Sequence, residues 1–287
     1  MTPRTEKVWI AVTFLCCAGC QPSSESQSSE SQSSTAPLSA VEGSRSSQTL
    51  EINNSIGMKL VHIPAGKFLM GSPKSQPGRS KNEVQHPVTI VQPFYMQSTE
   101  VTQEQWTTVM GTQPWQDQDH SKTGADYPAT FVSWNDAVQY CEKLSEQENA
   151  EYRLPTEEEW EYACRAGTTT AYSFGDDFGE LGKYAWFAEN TSNANEAHAH
   201  RVGQKQPNPW GLYDMHGNVW EWCQDRYDAY PGDPDTNPFQ RRGFVYRVWR
   251  GGSWFSRHQH IRSAHRSGNE PGWRHRNFGF RVVQKID

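Results

Sequence analysis

RGGSWFSRHQHIRSAHRSGNEPGWRHRNFGFRVV, running from Arg250 to Val283, gathers glycines, aromatics, arginines and histidines into one stretch that holds no cysteine. The glycine pair ahead of Ser253 marks a tight turn, because glycine alone takes positive φ without a steric penalty. His258 and His260 stand two residues apart. On a strand that spacing puts both rings on one face, where together with His265 they are candidate ligands for copper, zinc or iron. The competing reading is a polar loop of exposed histidines and arginines. His198 and His200 repeat the spacing within NTSNANEAHAH, a segment that reads as flexible surface.

The chain has 287 residues, 34% of them hydrophobic, and a formal net charge of −6. That size suits one large domain or two small ones. The mild acidity gives no reason to expect nucleic acid as a partner. Twelve Trp, eleven Tyr and twelve Phe suit an irregular, loop-rich core, and some of them suit a binding groove. From Leu50 onward there is no Gly-rich phosphate loop, no GxSxG elbow, no HExxH and no CxxC.

Residues 1–20 read as a lipoprotein-type signal peptide. Arg4 and Lys7 precede the apolar run VWIAVTFLCCAGC, which is too short for a mature membrane span. Small residues before Cys20 make it the expected lipidated N-terminus of a bacterial membrane-anchored lipoprotein, in the outer membrane and periplasm or on the cell surface. An ordinary signal peptide and a free secreted protein are the alternative. Residues 21–49 are a Ser-rich tract with the direct repeat SSESQ-SSESQ. Such a tract buries too little apolar surface to order itself, and as a coil it reaches roughly 30 Å. One domain is then expected over 50–287.

Within that domain MKLVHIPAGKFLMGS reads as two short strands around a hairpin-type turn at Pro64-Ala65-Gly66. Three helices have start signals. Thr102 with Gln105 opens one that carries Trp106, Val109 and Met110 and stops at Gly111. Ser133 with Asp136 opens another, with Trp134, Ala137, Val138, Cys141 and Leu144 at helical spacing. Thr156 with Glu159 opens a third, with Trp160, Ala163 and Cys164 ahead of Gly167. Cys141 and Cys164 therefore lie on inner helical faces. Three cysteines remain outside the signal region, so one bridge plus a free thiol, or three buried thiols, are both open.

IPAGKFLMGS (63–72), STEVTQEQW (98–106), YPATFVSWNDAVQYC (127–141), YRLPTEEEWEYACRAG (152–167), NPWGLYDMHGNVWEWCQD (208–225), RVWRGGSW (247–254) and RNFGFRVV (276–283) follow in series. Together they resemble the sulfatase-modifying-factor, or formylglycine-generating enzyme, family over residues 50–285. The resemblance implies a mixed α/β (α+β) fold of low regular secondary structure, related to the C-type lectin fold. The family's enzymes oxidise a substrate cysteine to formylglycine, holding Cu(I) with two cysteines, and soft thiolates are what Cu(I) prefers. Here those positions fall on Ser256 and on His260 or Ile261, so copper is not expected. Ser253, Trp220, Arg266 and Asn277 correspond to positions that line the family's substrate cleft. Ser263 and Val282 stand where some members carry disulfide partners for Cys164 and Cys141, which leaves both thiols free. Asp214, Gly217, Val219 and Glu221 match a structural calcium site, two through carboxylates and two through carbonyls.

What the resemblance and the residues imply together is an exported ligand-binding or structural module without copper-dependent formylglycine generation. Trp220, Trp254, Phe255, Arg257, Arg266 and Trp273 would line the cleft for a peptide, protein or glycan. The alternative is a metal-dependent oxidase working through His258 and His260.

Overall fold

The three main helices form where reciprocal capping satisfies their first amides. Thr102 and Gln105 at α1 (Gln103–Met110), Ser133 and Asp136 at α2 (Trp134–Glu148), and Thr156 and Glu159 at α3 (Glu157–Arg165) each build a capping box. Gly111 ends α1 in the left-handed region, while α3 stops at Ala166, with Gly167 following at positive φ. The computed structural model describes residues 50–192, 196–231 and 245–286. The expected signal peptide, tether and Cys20 lie outside them.

Strands β1 (Glu51–Asn53), β2 (Lys59–Ile63), β5 (Phe94–Gln97), β11 (Val283–Lys285) and β6 (Tyr152–Arg153) form an antiparallel sheet in that order. The C-terminal strand thus sits inside the sheet, between β5 and β6. A second sheet has the order β10 (Phe278–Gly279), β7 (Trp220–Arg226), β8 (Arg247–Arg250), β9 (Ser267–Asn269), with β10 parallel to β7. A two-stranded ribbon pairs β3 (Gly66–Met70) with β4 (His86–Ile90). Two further single-turn helices are α4 (Leu181–Tyr184) and α5 (Ala188–Thr191).

The hairpin expected at Pro64-Ala65-Gly66 does not form. Both strands are present, but β1 and β5 take the two edges of β2, so β3 turns away and pairs with β4 instead.

Aromatic residues fill the core, as the composition suggests. Trp106 stacks on Tyr140, with centroids 5.5 Å apart, and Phe280 meets both edge-on. Cys141, Cys164 and Cys223 are buried and free. Burial pushes all three thiols up, Cys164 to about 12, so none is a thiolate near neutrality.

Charge is buried too. Arg250 pairs with Glu161 and, at 3.5 Å, with Glu157. Arg165 pairs with Glu161 at 2.7 Å, and Arg266 meets Glu157 at 2.6 Å. Arg165 also donates to the Gly71 carbonyl, and Arg250 to the Ser263 and Ala264 carbonyls. These contacts tie α3 to β8 and to the end of β3. Removing one partner of such a network strands the opposite charge, at a cost of about 3–5 kcal/mol. Glu161→Gln is expected to lower stability by that order in urea unfolding with native-like secondary structure retained; a change under about 0.5 kcal/mol would refute the network's role.

Asp225 accepts the Glu157 amide at the start of α3 at 2.6 Å. Burial, opposed by that amide and reinforced by the charges of Glu158 and Glu157, raises its pKa to about 6. The folded state then holds this proton more tightly than the unfolded chain, so its contribution to stability falls as pH rises from about 4 to about 6. Asp225→Asn should flatten that part of the stability–pH curve; an unchanged slope there would contradict the assignment.

Candidate functional site

Gly251 and Gly252, both at positive φ, carry the chain past Trp160 and Ile261 into Ser253. A Cβ on Gly252 would fall 2.2 Å from Ile261 Cγ2, so this approach admits only glycine. Beyond the turn Ser253, Ser256 and Asn277 come together. Asn277 Nδ2 donates to Ser253 Oγ at 3.1 Å, and the two serine oxygens lie 3.2 Å apart. The Ser253 amide donates to Ser256 Oγ at 3.1 Å. His275 Nδ1 meets Asn277 Oδ1, which adds a fourth member that the sequence did not single out. The Trp220 amide donates to the Asn277 carbonyl, and the Trp220 ring stacks on Trp249.

Three residues expected to line this cleft are buried in the core, Trp220 among them with Trp222 and Phe278. Arg266 is buried against Glu157, its guanidinium over the Tyr230 ring at 3.8 Å, because a buried carboxylate needs a compensating charge more than a cleft does. Trp254 is 1% exposed and belongs to the core with Ala199 and Val219. Phe255 and Trp273 are the exposed aromatics, at 61% and 45%. Arg257 is exposed beside Phe255, and Arg276 lies over the Trp254 ring at 5.7 Å.

Of the two residues expected at the second Cu(I)-ligand position, His260 is exposed and Ile261 is closed off by packing. Ile261 is fully buried in a cluster with Tyr172, Leu181 and Phe187, under α4 and α5. His258-x-His260 lies in a 3-10 turn rather than on a strand, so the expected shared face is lost. His258 Nδ1 turns to Glu189 and its ring stacks on Phe178. His260 packs on His265, and His265 Nδ1 lies 3.6 Å from Glu83. Among the described residues no group of three or more His, Cys, Asp or Glu side chains is placed to hold a metal. His200, expected on flexible surface, is buried and stacked on Trp186.

At the expected calcium segment the two carboxylates differ. Both Glu221 oxygens accept from Arg281, each at 2.7 Å, and Oε2 also accepts from Trp160 Nε1. Asp214 Oδ2 accepts the Gly203 amide at 2.7 Å, while its buried Oδ1 has no amide partner. Glu100, which the sequence reading missed, lies alongside. Asn218 Nδ2 donates to its Oε1, and its buried Oε2 is also without an amide partner. Burial, then the charges of Asp214 and Glu221, push the Glu100 carboxyl well above its usual range. Burial also raises Asp214. Three buried carboxylates thus face one guanidinium. Asp214 and Glu100 also bond to each other, so the raised pair shares a proton. A hard cation could take that proton's place, whereas Glu221 is already filled by Arg281 and Trp160.

His216, between Asp214 and Gly217, is a structural pin. Its Nδ1 donates to the Ile261 carbonyl at 2.8 Å and its Nε2 accepts the Ser173 amide at 3.0 Å. Burial lowers its pKa to about 4 and keeps it neutral. A separate groove of about 700 Å³ is lined by Val91, Arg153, Glu159 and Lys285, and it holds none of the expected site residues.

A mixed α/β domain of short elements, closed around a Gly-Gly-Ser turn with an Asn277 partner, is the class that this geometry defines. The family model described as the sulfatase-modifying factor enzyme 1-like domain matches residues 47–286. The chain belongs to that family. A serine/threonine-protein kinase pkn1 of Chlamydia pneumoniae is 38% identical over 169 residues, covering 57% of this chain and 25% of that protein. A formylglycine-generating enzyme of Streptomyces coelicolor is 34% identical over 175 residues, covering 56% of this chain and 54% of that protein. The matched part thus spans a quarter to about half of these curated relatives. The structure of PvdO from Pseudomonas aeruginosa superposes with a TM-score of 0.71 at 27% identity, covering 83% of this chain and 98% of that one.

Glu221→Gln should lower the melting temperature whether or not calcium is supplied, because it weakens the hold on the buried Arg281 charge; a loss confined to calcium-loaded protein would show that Glu221 is a ligand instead.

Proposed function

We propose that this protein is a ligand-binding module built on an oxidase frame, without copper-dependent formylglycine generation. The observation that supports it most is the pair of positions where the family's enzymes hold Cu(I). One is Ser256, a hard hydroxyl inside a hydrogen-bonded group. The other is Ile261, sealed in an apolar cluster, or its neighbour His260, packed on His265. The three thiols of the described residues are buried and protonated. The residues assigned to binding are the exposed Phe255, Arg257 and Trp273 and the half-buried Arg276, whose aromatics and cations suit a peptide, a protein segment or an acidic glycan.

Incubation of the Cu(I)-treated full chain with a cysteine-containing sulfatase-type peptide, followed by mass spectrometry, should show no formylglycine; conversion would sink the reading. A panel of peptides and glycans should contain a ligand that raises the melting temperature. Saturation at 100 times Kd gives about 2.7 kcal/mol, and each kcal/mol is about 2–4 °C for a domain of this size. Phe255→Ala combined with Trp273→Ala should abolish the shift. A panel without any shift would remove the binding claim.

A calcium ion is proposed as a structural cofactor. Asp214 and Glu100 would hold it, with the carbonyls of Gly217 and Val219, and it would neutralise their excess charge. Chelation should then lower the melting temperature of the wild type but not of Asp214→Asn; equal responses would leave the pair as protonated carboxyls. Lipidation at Cys20 is proposed as the membrane anchor of an exported bacterial protein, to be read by the shift of Cys20→Ala from the membrane to the soluble fraction.

A further inference from the structure

The inference rests on the binding reading above and concerns the chemistry of the ligand, which the hydrogen-bond geometry at Ser253 narrows. A hydroxyl accepts two hydrogen bonds and donates one. Ser253 Oγ accepts from Asn277 Nδ2 at 3.1 Å and from the Phe255 amide at 3.3 Å. Its lone pairs are filled, so its proton goes to Ser256 Oγ, 3.2 Å away. Ser256 Oγ accepts that proton and the Ser253 amide at 3.1 Å, so it too is filled as an acceptor. Its own proton has no acceptor among the described residues. At the other end His275 Nδ1 donates to Asn277 Oδ1, which holds the amide in the orientation that starts the chain.

Every bond in this series points the same way, from His275 through Asn277 and Ser253 to Ser256, and each polarises the next. We propose that the Ser256 hydroxyl is a pre-aimed donor and forms a subsite for a carboxylate oxygen of the ligand. Two features select a carboxylate over a neutral carbonyl. Arg257 adjoins Ser256 in the chain and is exposed with no acidic partner among the described residues, and Arg276 sits nearby over the Trp254 ring. A hydrogen bond to an ionised acceptor is roughly twice as strong as one to a neutral acceptor. The exposed Phe255 ring borders the same turn and offers apolar surface to the carbon next to the carboxylate.

The test uses acetate as probe and the full chain, with nuclear magnetic resonance of the Ser253 and Phe255 amides and the Asn277 side-chain amide. The wild type should show a saturable shift of all three signals. Ser256→Ala should bind acetate about tenfold more weakly, equivalent to about 1.4 kcal/mol, and Ser256→Thr, which keeps the donor, should restore it. Asn277→Asp provides the readout that a merely structural role would not move. Its acceptor-only side chain draws the Ser253 proton back, so Ser256 turns inward and acetate affinity should fall although Ser256 is intact. N-methylacetamide should bind more weakly than acetate to the wild type. Equal acetate affinity in Ser256→Ala overturns the subsite, and N-methylacetamide matching acetate overturns its carboxylate preference. Either result leaves the broader binding reading standing, because that reading fails only on a silent peptide and glycan panel.

Discussion

Arg250 is the contact on which the rest of the molecule depends. A fully buried guanidinium has to be neutralised where it lies, and here Glu161 and Glu157 of α3 do so. That requirement fixes α3 against β8, and through Arg165 it fixes the end of β3 as well. Because Arg250 immediately precedes Gly251, the same constraint sets where the Gly-Gly-Ser turn emerges. The candidate site is thus held in place by charge balance one residue away. Arg266, at the far end of the loop after the turn, returns to Glu157 and closes it.

Buried charge recurs with different degrees of balance. Glu83 is met by Arg262 through two 2.8 Å bonds, and although burial opposes ionisation, those bonds keep its carboxyl well below the usual range. Glu221 is met by Arg281. Glu100 and Asp214 have neutral donors, Asn218 and the Gly203 amide, but no guanidinium of their own, and both are pushed upward. The first two sites are neutralised by their own guanidinium, and the third is held by a proton shared between two carboxyls. The distinction separates structural ion pairs from a place that invites a proton or a cation.

Much of the fold was readable because its signals are local. A capping residue and its partner lie three apart, so Thr102, Ser133 and Thr156 announced their helices, and the ordered series of phrases carried the family. Strand partners were not readable. Nothing in Pro64-Ala65-Gly66 tells that β1 and β5 occupy both edges of β2, since that pairing is a long-range fact. The site was legible in part, for the same reason. Ser253, Ser256 and Asn277 do meet, but side-chain direction could not be read from position. Trp220, Trp254 and Arg266 therefore looked like cleft residues and turned out to be buried. Glu100 was missed because a lone carboxylate before a helix looks like solvent-facing charge. Only its neighbours, Asp214 and Asn218, more than a hundred residues away, reveal otherwise.

The three unpaired thiols of the described residues bear on how the domain meets its surroundings. Each is buried and none is bridged among the described residues, so neither oxidants nor reductants have a disulfide there to make or break in the native state. The described part of the fold has no disulfide on which to depend. Its cohesion comes from aromatic packing and compensated charge, and the native state should be the same in a reducing cell interior and in an oxidising exterior. The thiols become reactive only when the structure opens, so each behaves as a sealed indicator of local unfolding in its own part of the core, at α2, α3 and β7.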